Sequence, residues 1–442
     1  MADVNDPITA LLPDCATVAR LLKSMSAEHT ATSTMETKEA SGEEPNLISV
    51  HRRPDSDGDD FIPAKPAVYA CFAADGSPII AATTANLRRA LQNRLVQTVP
   101  KPVRLNYAEI TETIRYRRVG SAFAASWWYY QTVRVLFPER YSAMLAWKAA
   151  CFLTVNPEAD FPRWKISLVL ASAPAITAGP LPTSRSAATL VHDLEELFDL
   201  CRYYAILCKS PRGQACTYKE LGQCPAPCDG SISMAEYRRQ ISIAADFAAD
   251  TPGVRRQWML NQEHLMRTAA TAMDFHQAAR LKRKLDHADR LCHGELAAVH
   301  NMEYWKYLIL QRGKTRHWVA PFISGAGWLA ALPEVKDRAA AAAVDSWMAV
   351  GSGKAPEPAD VVRAPLEELA ALVSYHQYRV HDGGLYIPIT DDKTAETVRR
   401  SVQDWLAVHT DEEVLEVNSS VVTGTSASTT DDSPSNPAEV PP

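Results

Sequence analysis

No stretch of this 442-residue chain approaches the ~18–20 consecutive apolar residues needed to cross a bilayer as a helix. The first residues, MADVNDPITALLPDCATVARLLKSM, have no basic segment leading into an apolar core and do not read as a secretory signal. Excess positive charge is missing too: the net charge is -6 and the sequence pI about 6.1. A dedicated nucleic-acid binder is usually basic, so any such surface here must be a local patch. Internal repeats are absent. These absences argue against a membrane protein and a repeat array, and leave a cytoplasmic protein of two or three domains. Its 46% apolar and 22% charged residues are ordinary for that class.

What is present is unevenly placed. Five of the nine cysteines, Cys201, Cys208, Cys216, Cys224 and Cys228, fall in one short segment. Thiolates at such spacings suit a soft metal or an iron–sulfur cluster, because a folded loop brings several sulfurs to one point. In a cytoplasmic chain such a cluster binds metal more often than it forms disulfides.

The periodicities predict an α+β fold in six segments. Residues 1–60 comprise a short amphipathic helix over 1–25 and a Ser, Thr, Glu, Asp-rich linker over 26–60 that reads as disordered. Residues 61–150 form a small mixed α/β domain: strands at 66–72 and 78–83 about an Asp75-Gly76 turn, a helix over 85–97, a strand within 103–119 and an aromatic-rich helix over 121–137. Residues 151–232 connect onward, with a strand at 161–172, a helix over 186–208 and the cysteine cluster. Residues 233–298 read as two long helices broken near Thr251-Pro252-Gly253. Residues 299–410 form a small α+β region in which 304–311 and 317–323 pair through the turn RGKTR, and 335–350, 364–378 and 395–408 are helical. From Asp411 the tail reads as disordered.

Within the helical region, LNQEHLMRTAATAMDFHQAARLKRKL carries an apolar face that includes Met266, Ala270, Met273, Phe275, Ala278, Ala279 and Leu281, then a basic end. The run from Met273 to Arg283 resembles the UVR motif of the UvrB and UvrC proteins of bacterial nucleotide excision repair, L-E-F-E-x-A-A-x-L-R-D, with His276 in place of one glutamate. The resemblance implies a helical hairpin that pairs with the same motif on UvrB. An ordinary hairpin packed on its own domain is the other reading.

The preceding segment strengthens the resemblance. Cys216-Thr217-Tyr218 runs on to Gly222-Gln223-Cys224-Pro225-Ala226-Pro227-Cys228 and Ser233-Met234-Ala235-Glu236-Tyr237, similar to R-P-C-L-x-Y-x-I-G-R-C-x-x-P-C followed by E-E-Y in UvrC. UvrC proteins hold an iron–sulfur cluster on four such cysteines. The resemblance implies a 4Fe-4S cluster on Cys216, Cys224, Cys228 and Cys208, with Cys201 as the alternative fourth ligand. Zinc on the same thiolates is the alternative metal.

The front of the chain resembles the UvrC GIY-YIG nuclease domain, through Ala67-Val68-Tyr69 and Asn86-Leu87-Arg88-Arg89. That nuclease needs a tyrosine pair, an arginine for the phosphate and a carboxylate for one divalent metal. Only Tyr69 stands at a matching position. The second tyrosine falls at Ile80, the glycine at Ala82, the lysine at Thr83, the arginine at Ala90 and the glutamate at Tyr129 or Tyr130. The expectation is a dead nuclease site, with Tyr69 packed in a core. An active site using Tyr69, Arg88 or Arg89 and Mg²⁺ or Mn²⁺, with Glu109 or Glu112 as the carboxylate, is the rival.

Arg115, Arg117 and Arg118, beside the aromatic run 127–130, could grip a nucleic-acid strand. A buried helix face beside a solvated strand is the alternative and the preferred reading. After residue 298 the catalytic carboxylates and Gly-rich hairpins of the UvrC C-terminal half are not found. The whole reads as a UvrC-like, non-catalytic protein that binds a UvrB-type partner or DNA. An active diverged endonuclease, or a metal-stabilised interaction module without nucleic acid, are the alternatives.

Overall fold

The structure is a computed structural model and describes residues 7–17, 62–95 and 107–409, apart from 252, 295, 359–360, 381 and 391–393. The linker 26–60 and the tail from Asp411 lie outside the described residues.

The chain runs α1 Pro7–Leu11, β1 Asp14–Thr17, β2 Ala67–Phe72, β3 Pro78–Thr84, α2 Leu87–Leu95, β4 Thr113–Arg118 and α3 Ala122–Leu136. It continues through β5 Cys151–Val155, β6 Lys165–Ser167, β7 Ile176–Leu181, α4 Ser184–Leu197, α5 Met234–Ala249, α6 Val254–Thr271 and α7 Phe275–His293. The last part is β8 His300–Asn301, β9 Tyr307–Arg312, β10 Trp318–Gly325, β11 Trp328–Ala331, β12 Val335–Lys336, α8 Asp337–Gly351, β13 Val362–Arg363, α9 Leu366–Tyr375, β14 Leu385–Pro388 and α10 Ala395–His409. Mixed helix and sheet is the α+β class expected.

The first sheet has the order β1-β4-β2-β3, all antiparallel. Alternation along β2 divides its faces: Tyr69 and Cys71 pack with Leu87, Leu91 and Leu95 of α2, while Val68, Ala70 and Phe72 face α3. The expected helix over 1–25 is corrected. It ends at Leu11, and Asp14–Thr17 pairs with β4 instead. Residues 18–25 lie outside the described residues.

α3 is buried from both sides. Phe123, Trp127, Tyr130 and Val133 share one core with β2 and with Tyr307, Ile309, Phe322 and Leu369–Val373 of the C-terminal region. The aromatic run is therefore the joint between the front and the back of the molecule. Gly120 makes that joint close: a Cβ there would stand 2.3 Å from the Gly313 backbone in the β9–β10 turn.

The second sheet, β6-β5-β7-β8, holds a different core, in which α4, α5 and the end of α7 cover Leu153, Val155 and Leu181. The sequence reading missed β5 and β7 and over-extended β6. The Gly179-Pro180 pair of β7 sits at an irregularity in the β5–β7 register, where a strand tolerates proline. The helix expected over 186–208 stops at Leu197, and Asp199 turns the chain with φ +53°. The region 233–298 holds three helices rather than two, with an additional break at Ala272–Asp274, where Met273 has φ +61°.

The C-terminal sheet runs β13-β11-β10-β9-β14, with β12 also on β10. The expected pairing of β9 with β10 through RGKTR is present. α8 and α10 cover one face, filling a core around Leu308, Val344, Trp347 and Val402. Among the described residues no helix is long and apolar enough to cross a membrane.

A candidate metal centre and docking hairpin

The cysteine segment is a compact loop laid across α4 and α5. Its entrance is fixed by the Cys201 N–H, which donates to the buried Tyr237 hydroxyl (3.2 Å). Its far end closes when Gly213 N–H donates to Cys228 O (2.8 Å) and Ser210 Oγ to Pro227 O (2.6 Å). Ala226 and Gly230 adopt left-handed φ on either side of Cys228 and make the turn tight enough to bury it.

Within this loop Cys201 and Cys224 meet. The Cys201 thiol has two acceptors in reach, Tyr203 O at 3.6 Å and the Cys224 sulfur. The hydrogen bond from Cys201 lowers the Cys224 thiol, while giving that bond and burial push Cys201 upward. Cys228 lies near enough to feel the Cys224 charge. Cys208 is exposed and shares a hydrogen bond with the Tyr204 hydroxyl, and Cys216 is half-buried at the start of the single turn Thr217–Glu220. The fold pairs Cys201 with Cys224, with Cys228 nearby, and leaves Cys208 exposed. The donors are the soft thiols a cluster or zinc takes, and two of them, Cys201 and Cys224, are in contact. Among the described residues, however, no three His, Cys, Asp or Glu groups are close enough to hold a metal ion.

The hairpin of α6 and α7 stands on the same unit. Its base is locked by Arg255, which donates to four carbonyls: Phe247, Ala248, Leu296 and Val299, at 2.7–2.8 Å. Its side is braced by Asp199, whose carboxylate accepts from Arg280 (3.0 Å) and Lys284 (2.7 Å), while Arg280 also reaches Gly222 O (2.8 Å). Arg280 and Lys284 therefore turn to Asp199 and the cysteine loop, while Lys282 and Arg283 stay exposed. At the tip Met273 and Phe275 are 73% and 66% exposed. Ala270 and Ala279 are also exposed, and Met266 and Ala278 half-buried. Leu281 is buried at 7%, which corrects its expected place on a partner-facing surface. Asp199 and Arg255 were missed, since neither type marks a brace at the level of sequence.

In the front domain Tyr69 is buried on β2 and accepts a hydrogen bond from Arg94 Nη1 (2.9 Å), whose guanidinium also lies over Tyr107. Burial pushes the Tyr69 hydroxyl up to about 12. Arg94 also was missed. It lies one helical turn beyond Ala90, on the same face of α2, and that i+4 spacing was the available signal. Arg88 donates to Ile62 O, and the Arg89 N–H caps onto Asn86. Where the family's glutamate would fall, the Tyr130 hydroxyl donates to Glu368 of α9, as does Tyr141 at 2.7 Å. Arg117 donates to Leu11 O (2.6 Å) and stacks on Trp128 at 3.9 Å. It is therefore part of the packing, whereas Arg118 is exposed.

A further polar cluster lies behind β14. His376 and Asp382 are both buried and 3.1 Å apart, and Asp382 also accepts from Gly384 N–H (3.0 Å) and the Tyr386 hydroxyl (2.9 Å).

This unit is a four-stranded sheet carrying α4, α5 and a cysteine loop that braces a helical hairpin. Residues 150–247, from the sheet through α5, match the model of the UvrC/Cho excinuclease middle domain. Similar curated proteins are the UvrABC system protein C of Syntrophotalea carbinolica, 31% identical over 133 residues, or 30% of this chain and 21% of the relative. That of Trichlorobacter lovleyi is 26% identical over 220 residues, 49% and 35% of the two chains. That of Alcanivorax borkumensis is 24% identical over 221 residues, 50% and 36%. This chain is UvrC-like, and it spans about a fifth to a third of the length of these relatives. No solved structure matches.

Proposed function

We propose that this chain is a non-catalytic, UvrC-like component of nucleotide excision repair that binds a UvrB-type protein through the α6–α7 hairpin, with DNA as a second partner. The observation that carries the reading is the exposed Met273–Phe275 tip, braced by Asp199 on the unit that matches the UvrC middle domain. An apolar tip on a rigid stalk fits helix-to-helix docking, where a few large side chains dominate affinity. Replacing Met273 and Phe275 together with Asp should weaken binding to UvrB by at least about a hundredfold, on the order of 3 kcal/mol. Unchanged binding in a calorimetric titration would remove the hairpin from the interface.

Cys201, Cys216, Cys224 and Cys228 would hold a 4Fe-4S cluster, which serves here to stiffen the loop that braces the hairpin. The Cys201–Cys224 contact supports Cys201 over Cys208. Anaerobically purified protein should be brown, with absorption near ~400 nm lost in Cys224→Ala. Colourless protein containing zinc would replace the cluster with the alternative metal.

The non-catalytic reading is supported by Tyr69, whose hydroxyl is buried, bonded to Arg94 and pushed up to about 12, all of which make it a poor base or nucleophile near neutral pH. Supercoiled UV-damaged plasmid, incubated with this protein, UvrA, UvrB and Mg²⁺ or Mn²⁺, should remain unnicked. A nick that disappears in Tyr69→Phe would establish the nuclease instead.

A further inference from the structure

The molecule as a whole is acidic, yet one corner of it is not. The β9–β10 turn, Arg312-Gly313-Lys314-Thr315-Arg316-His317, folds tightly on itself through Gly313 N–H to Trp318 O (2.8 Å). β12 pairs with β10 so that Lys336 stands opposite Trp318, its Nζ 5.8 Å from the ring centre. Arg338 follows on the first turn of α8. From the front domain, Arg118 ends β4 two residues before Gly120, whose backbone lies against Gly313. These neighbouring segments carry six cations (Arg118, Arg312, Lys314, Arg316, Lys336 and Arg338) and, between Arg312 and Arg338, the carboxylates Glu334 and Asp337.

Those carboxylates are engaged. Asp337 accepts from Arg312 (3.1 Å) and faces His317 (3.5 Å), and Glu334 accepts from the Lys314 N–H (3.3 Å). Arg118, Lys314, Arg316, Lys336 and Arg338 are all exposed. A field of unneutralised positive charge costs stability through self-repulsion and is retained where an anion is met. Half-buried Trp318 adds a flat aromatic face among the cations, the combination that grips a strand by phosphate contact and base stacking.

We propose that this corner, built from the front domain and the C-terminal sheet, is a sequence-independent binding surface for a nucleic-acid strand, which rests on the reading of DNA as a second partner. It lies apart from the hairpin and stands whether or not the hairpin docks on UvrB. The test uses full-length protein and fluorescein-labelled oligonucleotides, single-stranded and duplex, titrated by anisotropy across a range of salt. Lys314→Ala with Arg316→Ala should lower the affinity roughly tenfold and reduce the slope of log K against log salt by about 2 on duplex. The pair Lys148→Ala and Arg185→Ala, exposed elsewhere, is the charge-matched control and should change neither quantity. Trp318 fluorescence should be quenched by the single strand, and Trp318→Leu should weaken that arm selectively. An unchanged slope in the turn variant, an equal loss in the control pair, or binding to vesicles containing phosphatidylserine with none to either oligonucleotide would overturn the proposal.

Discussion

Two buried charges show what single side chains contribute here. Arg255 satisfies four main-chain carbonyls at the hairpin base, and its charge is met by Asp250 at 3.5 Å. Replacing it with Met leaves those carbonyls without donors in a place water does not reach, and should cost about 3–5 kcal/mol in urea unfolding. Asp382 offers a pH signature. Burial alone would raise its carboxyl, but the hydrogen bond and charge of His376, the Gly384 N–H and the Tyr386 hydroxyl more than offset that and hold it below its ordinary value of 3.8. A carboxyl depressed in the folded state contributes stability that is complete above its unfolded value and is lost as pH falls through the folded one. The melting temperature should therefore drop on acidification below about pH 4, and Asp382→Asn, already less stable at pH 7, should lose less over that window. Parallel melts of the two proteins from pH 6 to pH 3 check this.

Among elements, the α6–α7 hairpin separates folding from recognition. Its lower half is held by Arg280 and Lys284 on Asp199, while the tip residues Met273 and Phe275 are exposed. Asp199→Asn should leave global stability within about 1 kcal/mol, since these contacts are partly exposed, while hydrogen exchange along α7 accelerates. Unchanged exchange would deny Asp199 its bracing role. Elements with strong periodicity were legible before the fold was known: α3, the β2–β3 hairpin, β9 with β10, α8 and α10 all stand close to where the pattern put them. What misled was local chemistry overridden by packing. The strand β7 carries Gly179-Pro180 at an irregularity that no alternation marks, and Met273 takes a left-handed φ that its residue type does not advertise. The cysteine cluster was legible as a cluster, but not its membership. The resemblance left the fourth cysteine open between Cys208 and Cys201, and past the turn at Asp199 it is Cys201 that meets Cys224.

At the scale of the molecule, the front and back halves are one body because α3 has two buried faces. Gly120→Ala would drive a methyl into the Gly313 backbone and should destabilise the chain by about 1–3 kcal/mol. A chain cut after residue 298 should bind a hydrophobic dye and aggregate, because it leaves the aromatic face of α3 uncovered. A monomeric truncated protein with a sharp thermal transition would show instead that the front half folds alone. The same shared core has a consequence for biosynthesis. The last residues that cover α3, Leu369–Val373, are translated long after Phe123 and Trp127. At about 5–20 residues per second, the ribosome needs roughly 10–50 s to travel that distance. For that interval the nascent chain presents a ready-made greasy helix face with nothing yet made to cover it. Slow translation across residues 140–370 should therefore lower the yield of native protein more than the same delay placed after residue 375.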